Sequence, residues 1–136
     1  MKFNVRVLSE EDYDYILSKW WKDWGFTPPI KESLPLNGQG GIIVEWEKTP
    51  VCAGFLYETN SSIAWVEWII SNKNFRLKPQ RKDGIHLVIQ TLTDVAKNKG
   101  YKVVFSNNNN NQHLQQSFVN MGYLKGNKSV ELIKNL

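Results

Sequence analysis

The pattern of hydrophobic and polar residues along the chain begins with a strand and a helix. Residues 3–7 alternate between apolar and polar side chains, which is typical of a half-buried strand. Ser9 then precedes a run of carboxylates, as at a helix start, where a hydroxyl caps free N–H groups and acidic side chains are favoured. We expect this helix to run to about Trp24, because Gly25 and two prolines follow. The proline- and glycine-rich segment 25–41 predicts a loop or a short broken helix.

The middle of the chain contains three strand-like segments, at 41–47, 51–58 and 63–71. The turns between them are short and polar, so we expect them to pair as antiparallel neighbours.

The remaining segments alternate between helix and strand. Apolar residues recur at helical spacing over 85–96, and a short apolar strand follows at 103–105. An asparagine-rich loop at 107–111 leads into a second amphipathic helix over 114–121, and the tail 123–136 predicts one or two final strands. The predicted order is β-α-βββ-α-β-α-β(β). This is an α/β domain in which helices flank a mixed, mostly antiparallel sheet of six or seven strands.

The composition fits one soluble domain over residues 1–136, because so short a chain cannot easily bury two cores. No apolar run approaches the roughly 18 residues that a membrane-spanning helix needs. Arg6 interrupts the start before a signal-peptide core could form, so we expect a cytoplasmic protein with no membrane partner.

The single cysteine, Cys52, excludes an intramolecular disulfide and cannot alone hold zinc. The two histidines, His86 and His113, have too few potential partners for a metal site, so we expect none.

The formal net charge of +4 is modest, but the basic residues are clustered. Five of them fall within ten positions: Lys73, Arg76, Lys78, Arg81 and Lys82. This cluster suits an anionic ligand without requiring nucleic acid.

The basic cluster leads into the helix at 85–96, and the loop at the start of this helix is suited to bind a phosphate. A helix N-terminus offers unpaired N–H groups and a partial positive charge, and a glycine would let the backbone approach a ligand closely. The alternative is a solvated basic loop that only precedes a helix. The candidate residues are Gln80, Arg81, Lys82, Asp83, Gly84, Ile85 and His86.

The order of elements, with this loop after the fourth strand, resembles the GNAT superfamily of N-acetyltransferases. The family's pyrophosphate-binding loop reads Gln/Arg-x-x-Gly-x-Gly/Ala, and residues 81–86 read RKDGIH. The first two fixed positions match, whereas His86 replaces the small residue at the last. The resemblance implies that backbone N–H groups from about Arg81 to His86 hold the pyrophosphate of acetyl-CoA. Asp83 is unfavourable there unless its side chain turns away to cap the helix.

A second motif is similar to the family's last helix, which commonly reads Asn-x-x-Ala-x-x-Leu-Tyr-x-x-x-Gly-Phe. Over residues 111–123, Asn111 and Gly122 match and Tyr123 replaces phenylalanine. Three other fixed positions differ: Leu114, Ser117 and Phe118. The resemblance covers the whole chain and implies that Asn111 lies near the cofactor.

Phe118 departs from the family at a position near the cofactor, where many members carry a tyrosine that protonates the leaving thiolate of CoA. Phenylalanine has no proton to donate. Either another group or water must replace it, or the protein is a poor catalyst.

The resemblance also assigns roles on the fourth strand. Glu67 is the acidic residue in this strand, and a carboxylate there would accept the proton of the amine. Trp65 and Trp68 would desolvate it and raise its pKa towards a useful range. The alternative is an outward-facing glutamate. Backbone groups of Ile69, Ile70 and Ser71 would pair with the pantetheine arm as an added strand does.

Tryptophans on the first helix are candidates for an acceptor pocket, where the resemblance places one. Helical spacing puts Trp20 or Trp21 on one face with Trp24. At least one of the three is expected in the core, and we assign Trp21 and Trp24 to the substrate.

Three functions remain open. The first is direct transfer of an acetyl group from acetyl-CoA to a small-molecule or peptide amine, with Glu67 as base. The second is a GNAT-like module that binds CoA or another anion without efficient chemistry. The third is nucleic-acid binding or modification through the basic cluster and Phe75, which the modest charge disfavours. Edge strands in this fold often pair between subunits, so a homodimer is also an expectation.

Overall fold

A five-stranded mixed sheet forms the centre of the chain in the computed structural model, which describes residues 2–108 and 110–136. The strands lie across the sheet in chain order: β1 Phe3–Val7, β2 Gly41–Trp46, β3 Thr49–Tyr57, β4 Ile63–Ser71 and β5 Val103–Phe105. The first four pair as antiparallel neighbours, as their short polar turns predict. The last strand runs parallel to β4, because a long crossover connection joins the two.

Three α-helices flank the sheet: α1 Ser18–Asp23, α2 Arg81–Asn98 and α3 Gln112–Asn120. A π-helical turn leads directly into α1, and 3-10 turns occupy parts of the loops. These turns are Tyr13–Leu17, Lys31–Ser33, Pro35–Gly38 and Lys73–Phe75. The observed order confirms the predicted β-α-βββ-α-β-α. Asn109, inside the predicted asparagine loop, lies outside the described residues.

The predicted strands of the tail are wrong, since residues 123–136 contain no strand and the sheet has five strands instead of six or seven. The apolar side chains of Val130 and Leu132 are exposed, at 82% and 90% of their surface. Their alternation is short, and the adjacent Ile133 breaks it, so neither face of a strand would be consistently apolar.

The first helix begins with a different cap from the one the sequence predicts. The Ser9 hydroxyl does not accept a helical N–H; the carboxylate of Asp12 instead accepts from the Ser9 amide at 2.6 Å and from its hydroxyl at 3.1 Å. Both terminal nitrogens of Arg6 also donate to Asp12, at 2.7 and 2.9 Å. The buried carboxylate therefore joins β1 to the start of the helix.

Asp12→Asn is expected to lower the free energy of unfolding by about 2 kcal/mol at pH 7, because charge-assisted hydrogen bonds are lost. Burial alone raises the pKa of Asp12, but Arg6 and Ser9 outweigh burial and hold that pKa below its usual value. A lowered pKa contributes stability that is present above the unfolded pKa and is lost as the pH falls through the folded pKa. Urea unfolding at pH 7 and pH 3 should show that the free energies of unfolding of the wild type and of Asp12→Asn differ less at pH 3. Asp14→Asn, at an exposed neighbour, is the control, and an equal difference at both pH values would contradict the account.

Both faces of the sheet are buried. The helix α2 covers one face with fully buried Val88 and Ile89, while the first helix covers the other with Leu17, Trp20 and Trp21. Within the described residues, every helix is too short or too polar to cross a membrane.

Cys52 lies in the centre of β3 and has no exposed surface. Burial raises the pKa of its thiol to about 12, so the thiolate does not form at neutral pH. This side chain is a small core residue, as is usual for a free cysteine.

Candidate functional site

The strand β4 contains a β-bulge close to its middle. Antiparallel pairing with β3 is regular up to Glu67 and resumes at Ile70, so Trp68 and Ile69 together face Gly54. Trp68 has a φ of +57°, a backbone conformation that bulky residues rarely adopt. The bulge therefore holds a tryptophan in a strained conformation next to the predicted catalytic carboxylate.

The bulge brings two consecutive side chains to the same face of the sheet. Glu67 is paired with Phe55, whose ring lies in the core under the first helix. The Trp68 ring lies edge-on to Trp21 of that helix, with 6.0 Å between the ring centres. In a regular strand neighbouring side chains point to opposite faces. Here both Glu67 and Trp68 lie on the α1 side.

A gap opens between β4 and β5 beside Glu67. The two strands pair only from Ile63 to Trp65, and over its remaining length β4 has a described neighbour on the β3 side alone. After β5, the backbone N–H of Asn107 donates to Oε1 of Glu67 at 2.8 Å. The carboxylate bridges the gap. The edge of β4 beyond it runs past Ile69, Ile70 and Ser71, where the Ser71 carbonyl oxygen already accepts from Nε1 of Trp24. Their contact with a pantetheine arm stays a prediction.

The environment of Glu67 favours a carboxyl group that can exchange a proton near neutral pH. Burial raises the pKa of Glu67 to about 6, the Asn107 hydrogen bond opposes that rise, and the charge of Glu131 in the tail adds to it. The group is mostly ionised at pH 7 and can still accept a proton readily, which suits a general base.

Tyr57 connects three parts of this face. Its hydroxyl donates to the carbonyl oxygen of Ser33 at 2.9 Å, which pins the loop before β2 onto the sheet. Burial raises the pKa of Tyr57, a hydrogen bond with the Trp68 side chain lowers it, and the charge of Glu67 raises it further. The phenol therefore lies near enough to Trp68 and Glu67 for both to affect its pKa.

Sequence reasoning did not identify Tyr57, and it treated Trp68 only as a desolvating neighbour. The signal that could have found this arrangement is Gly54. A glycine within an apolar strand often marks a bulge in its partner or a close approach.

Arg81 lies at the first position of α2 and reaches towards the end of β4. Its Nη2 donates to the Ser71 hydroxyl at 3.2 Å. Its Nε is buried and has no hydrogen-bond partner among the described residues. A buried charged donor without an acceptor is costly unless a ligand supplies the acceptor.

The backbone at the start of α2 leaves two amides open. In the part of the chain that the structure describes, the N–H groups of Lys82 and Asp83 meet no protein acceptor, whereas the Gly84 amide donates to Gln80 at 3.0 Å. Asp83 makes no capping bond and its residue is exposed.

Gly84 packs tightly against the sheet, and its predicted contact with a ligand stays a prediction. It is buried, and a Cβ on it would lie 2.9 Å from Cγ1 of Val51 in β3. Its small size lets α2 pack closely on the sheet. The neighbouring Ile85 is also buried, so its side chain belongs to the core.

The remaining predicted residues have clear positions. His86 is half-buried, and its Nε2 lies 3.4 Å from Nδ2 of Asn120. Burial, followed by the charge of Lys82, lowers the pKa of His86. Asn111 caps α3, since its side-chain oxygen accepts from the Leu114 amide at 3.0 Å.

Phe118 is buried in the core, with its ring edge-on to Tyr123 at a centroid distance of 4.9 Å. The Tyr123 hydroxyl lies 2.6 Å from Oγ1 of Thr93.

The two predicted substrate tryptophans lie in different surroundings. Trp21 is buried, with 3% of its surface exposed. Trp24 is half-buried, and its Nε1 donates to the carbonyl oxygen of Ser71 at 2.8 Å, so it ties the end of the first helix to β4. Their contact with a substrate stays a prediction.

A cavity of about 1350 Å³ lies between β5, α3 and the tail. Trp65, Asn107 and Phe118 line it, and none of residues 80–86 does. It occupies the space beside the edge strand where the tail forms no further strand. The described residues contain no cluster of histidine, cysteine or carboxylate side chains that could hold a metal ion.

Solved structures share this arrangement along nearly the whole chain. An aminoglycoside acetyltransferase from an uncultured soil metagenomic sample, solved with trehalose, has a TM-score of 0.66 at 15% identity over 99% of this chain and 97% of its own. Glucosamine-6-phosphate N-acetyltransferase from Arabidopsis thaliana has a TM-score of 0.64 at 17% identity over 99% of each chain. The enzyme AAC(6')-Iy, bound to the bisubstrate analog CoA-S-monomethyl-acetylneamine, has a TM-score of 0.65 at 14% identity over 100% of each chain.

No protein-family model and no curated protein matches the sequence. At these identities the structural likeness shows the fold alone. That fold is the one of the GNAT acetyltransferases, which confirms the fold class that the two motifs and the element order predict.

Proposed function

We propose that the protein transfers an acetyl group from acetyl-CoA to an amine. The observation that carries the proposal is the half-buried carboxylate of Glu67, with a pKa of about 6, at the gap between β4 and β5. The fold supports the same reaction, since similar structures are acetyltransferases acting on amines of sugars and aminoglycosides, and one was solved with a CoA-containing analog.

The chain offers groups that fit the anionic and amide parts of acetyl-CoA. The unpartnered Nε of Arg81 and the open amides of Lys82 and Asp83 suit a phosphate at the start of α2. The unpaired edge of β4 suits the amides of an extended pantetheine arm. When bound, acetyl-CoA supplies the activated acetyl thioester.

The role of Glu67 is to accept the proton that an ammonium acceptor must lose before its nitrogen can attack. The Asn107 amide keeps one carboxylate oxygen in place, which leaves the other to face the acceptor. Phe118 has no proton to donate to the departing thiolate, so in this proposal solvent supplies it. Holding both substrates in one gap provides much of the rate through proximity.

The direct test is to incubate the purified chain with acetyl-CoA and a panel of amines, and to measure released thiol and a product heavier by one acetyl group. We expect thiol release that depends on the amine. Binding of CoA without transfer to any amine would instead support the alternative of a CoA-binding module.

Arg81→Gln is expected to weaken CoA binding about 10- to 100-fold, because a charge-assisted hydrogen bond to an anion is lost. The measurement is the Kd for CoA by titration calorimetry. Arg76→Gln, at an exposed position in the same basic cluster, is the matched control and should change the Kd less than about threefold, as expected for a screened surface charge. An unchanged Kd in Arg81→Gln would place the phosphate elsewhere.

A further inference from the structure

We propose that Trp68 and Tyr57 form the binding surface for the acceptor, and that the acceptor is an amine attached to a ring that can stack on an indole. This inference rests on the proposed acetyl transfer and names its substrate class.

The first observation is that core packing does not account for Trp68. The side chain is 43% exposed, although α1 already buries Trp20 and Trp21 on the same side of the sheet. The ring stands nearly perpendicular to Trp21, with 6.0 Å between the ring centres, and the exposed part of the indole is open to a ligand. Its φ of +57° is unfavourable for a residue with a side chain, so glycine would fit this backbone better. A strained, exposed indole is a feature that typically belongs to a functional site.

The second observation is that Tyr57, next to the indole, is held in place. Tyr57 is fixed by its hydrogen bond to Ser33, and it interacts in turn with the Trp68 side chain. The hydroxyl of Tyr13 donates to the carbonyl oxygen of Pro29 at 2.6 Å, which attaches the same loop to the first helix. A rigid aromatic surface binds with a smaller loss of conformational entropy than a mobile one.

The third observation is the charge next to the ring. The bulge sets Glu67 beside Trp68 on one face, and the negative charge of Glu131 also acts on this carboxylate. An ammonium group is attracted by both carboxylates and by the face of an indole. The ring that carries the amine can then stack on Trp68 while its nitrogen faces Glu67. Either an aromatic ring or the C–H face of a sugar ring meets this requirement.

The experiment compares phenethylamine and glucosamine with n-butylamine, which carries no ring. We expect the wild-type kcat/KM to be at least tenfold higher for one of the two ring amines than for n-butylamine. In Trp68→Gly the KM of that ring amine should rise at least tenfold, while the KM for acetyl-CoA changes less than about twofold. Glycine relieves the positive φ, so this variant is expected to fold, and thermal unfolding checks that it does.

Trp46→Leu and Trp68→Leu form a matched pair of tryptophan variants, since Trp46 lies on β2 and packs on Phe3. Only the change at Trp68 should abolish the preference for ring amines. Which ring amine is preferred assigns the ring as aromatic or as a sugar. Equal rates with all three amines, or a preference that survives in Trp68→Gly, would overturn the inference while leaving acetyl transfer intact. No transfer by the wild type to any amine would instead refute the proposed function.

Discussion

Glu67→Gln is expected to lower kcat/KM for an amine acceptor by about 100- to 10,000-fold, the usual contribution of a general base. Glutamine has nearly the same shape and its carbonyl oxygen can still accept the Asn107 amide, so the loss reports proton transfer and not a rearranged strand. The wild-type kcat/KM should rise as the pH passes about 6, because only the ionised carboxylate accepts a proton. This inflection should be missing in the variant.

The same substitution is expected to stabilise the fold. The pKa of Glu67 is about 4.5 in the unfolded chain and about 6 in the folded protein. The group therefore stabilises the folded protein below about pH 4.5, and this stabilisation is lost as the pH rises through about 6. At pH 7 the ionised wild-type carboxylate is therefore unfavourable. After allowance for partial exposure to solvent, Glu67→Gln should gain about 1 kcal/mol at pH 7 and nearly nothing at pH 4.

The control is Glu58→Gln, since Glu58 is an exposed carboxylate at the end of the neighbouring strand, 3.2 Å from Lys99. It should leave both the rate and the inflection near pH 6 unchanged. A loss of activity in Glu67→Gln that is matched by a loss of stability would contradict a catalytic role and indicate a structural one.

Gly41→Ala is expected to lower the free energy of unfolding by about 3 kcal/mol or more. A Cβ on Gly41 would overlap the carbonyl oxygen of Gly54, which belongs to the paired strand. A backbone oxygen cannot move to another rotamer, so β2 and β3 must separate where β2 begins. Chemical denaturation followed by circular dichroism measures the loss.

Gly126→Ala is the matched control for this stability experiment. A Cβ on Gly126 meets no atom within 4 Å, so its effect should stay within about 0.5 kcal/mol. If Gly41→Ala were equally mild, the close approach of the two strands would be wrong.

The sequence predicts the elements best where the hydrophobic pattern is long and regular. The strand predicted at 63–71 has the same bounds in the structure, and the helix after the basic loop gains only one further turn at its start. The tail is predicted as strand from a few alternating residues, and such a pattern cannot show whether a partner edge is within reach. The cap of the first helix is also missed, because it depends on Arg6 of the preceding strand.

The site depends on tertiary geometry that a linear pattern does not contain. Position and residue type single out Glu67, but its hydrogen bond to Asn107 depends on where β5 ends. Helical spacing groups the tryptophans of the first helix without showing which of them the sheet covers. The bulge reverses the expected direction of Trp68, and only strand pairing reveals it. The unpartnered Nε of Arg81 is likewise a property of packing.

The burial of Cys52 gives the protein a built-in reporter of its own unfolding. A thiol-labelling reagent cannot reach this side chain in the native state, and the chain has no second thiol to compete. Labelling must therefore wait until the central strand is released. When refolding is fast relative to the reagent, the labelling rate measures the population of the open form, and when it is slow, the rate measures opening itself.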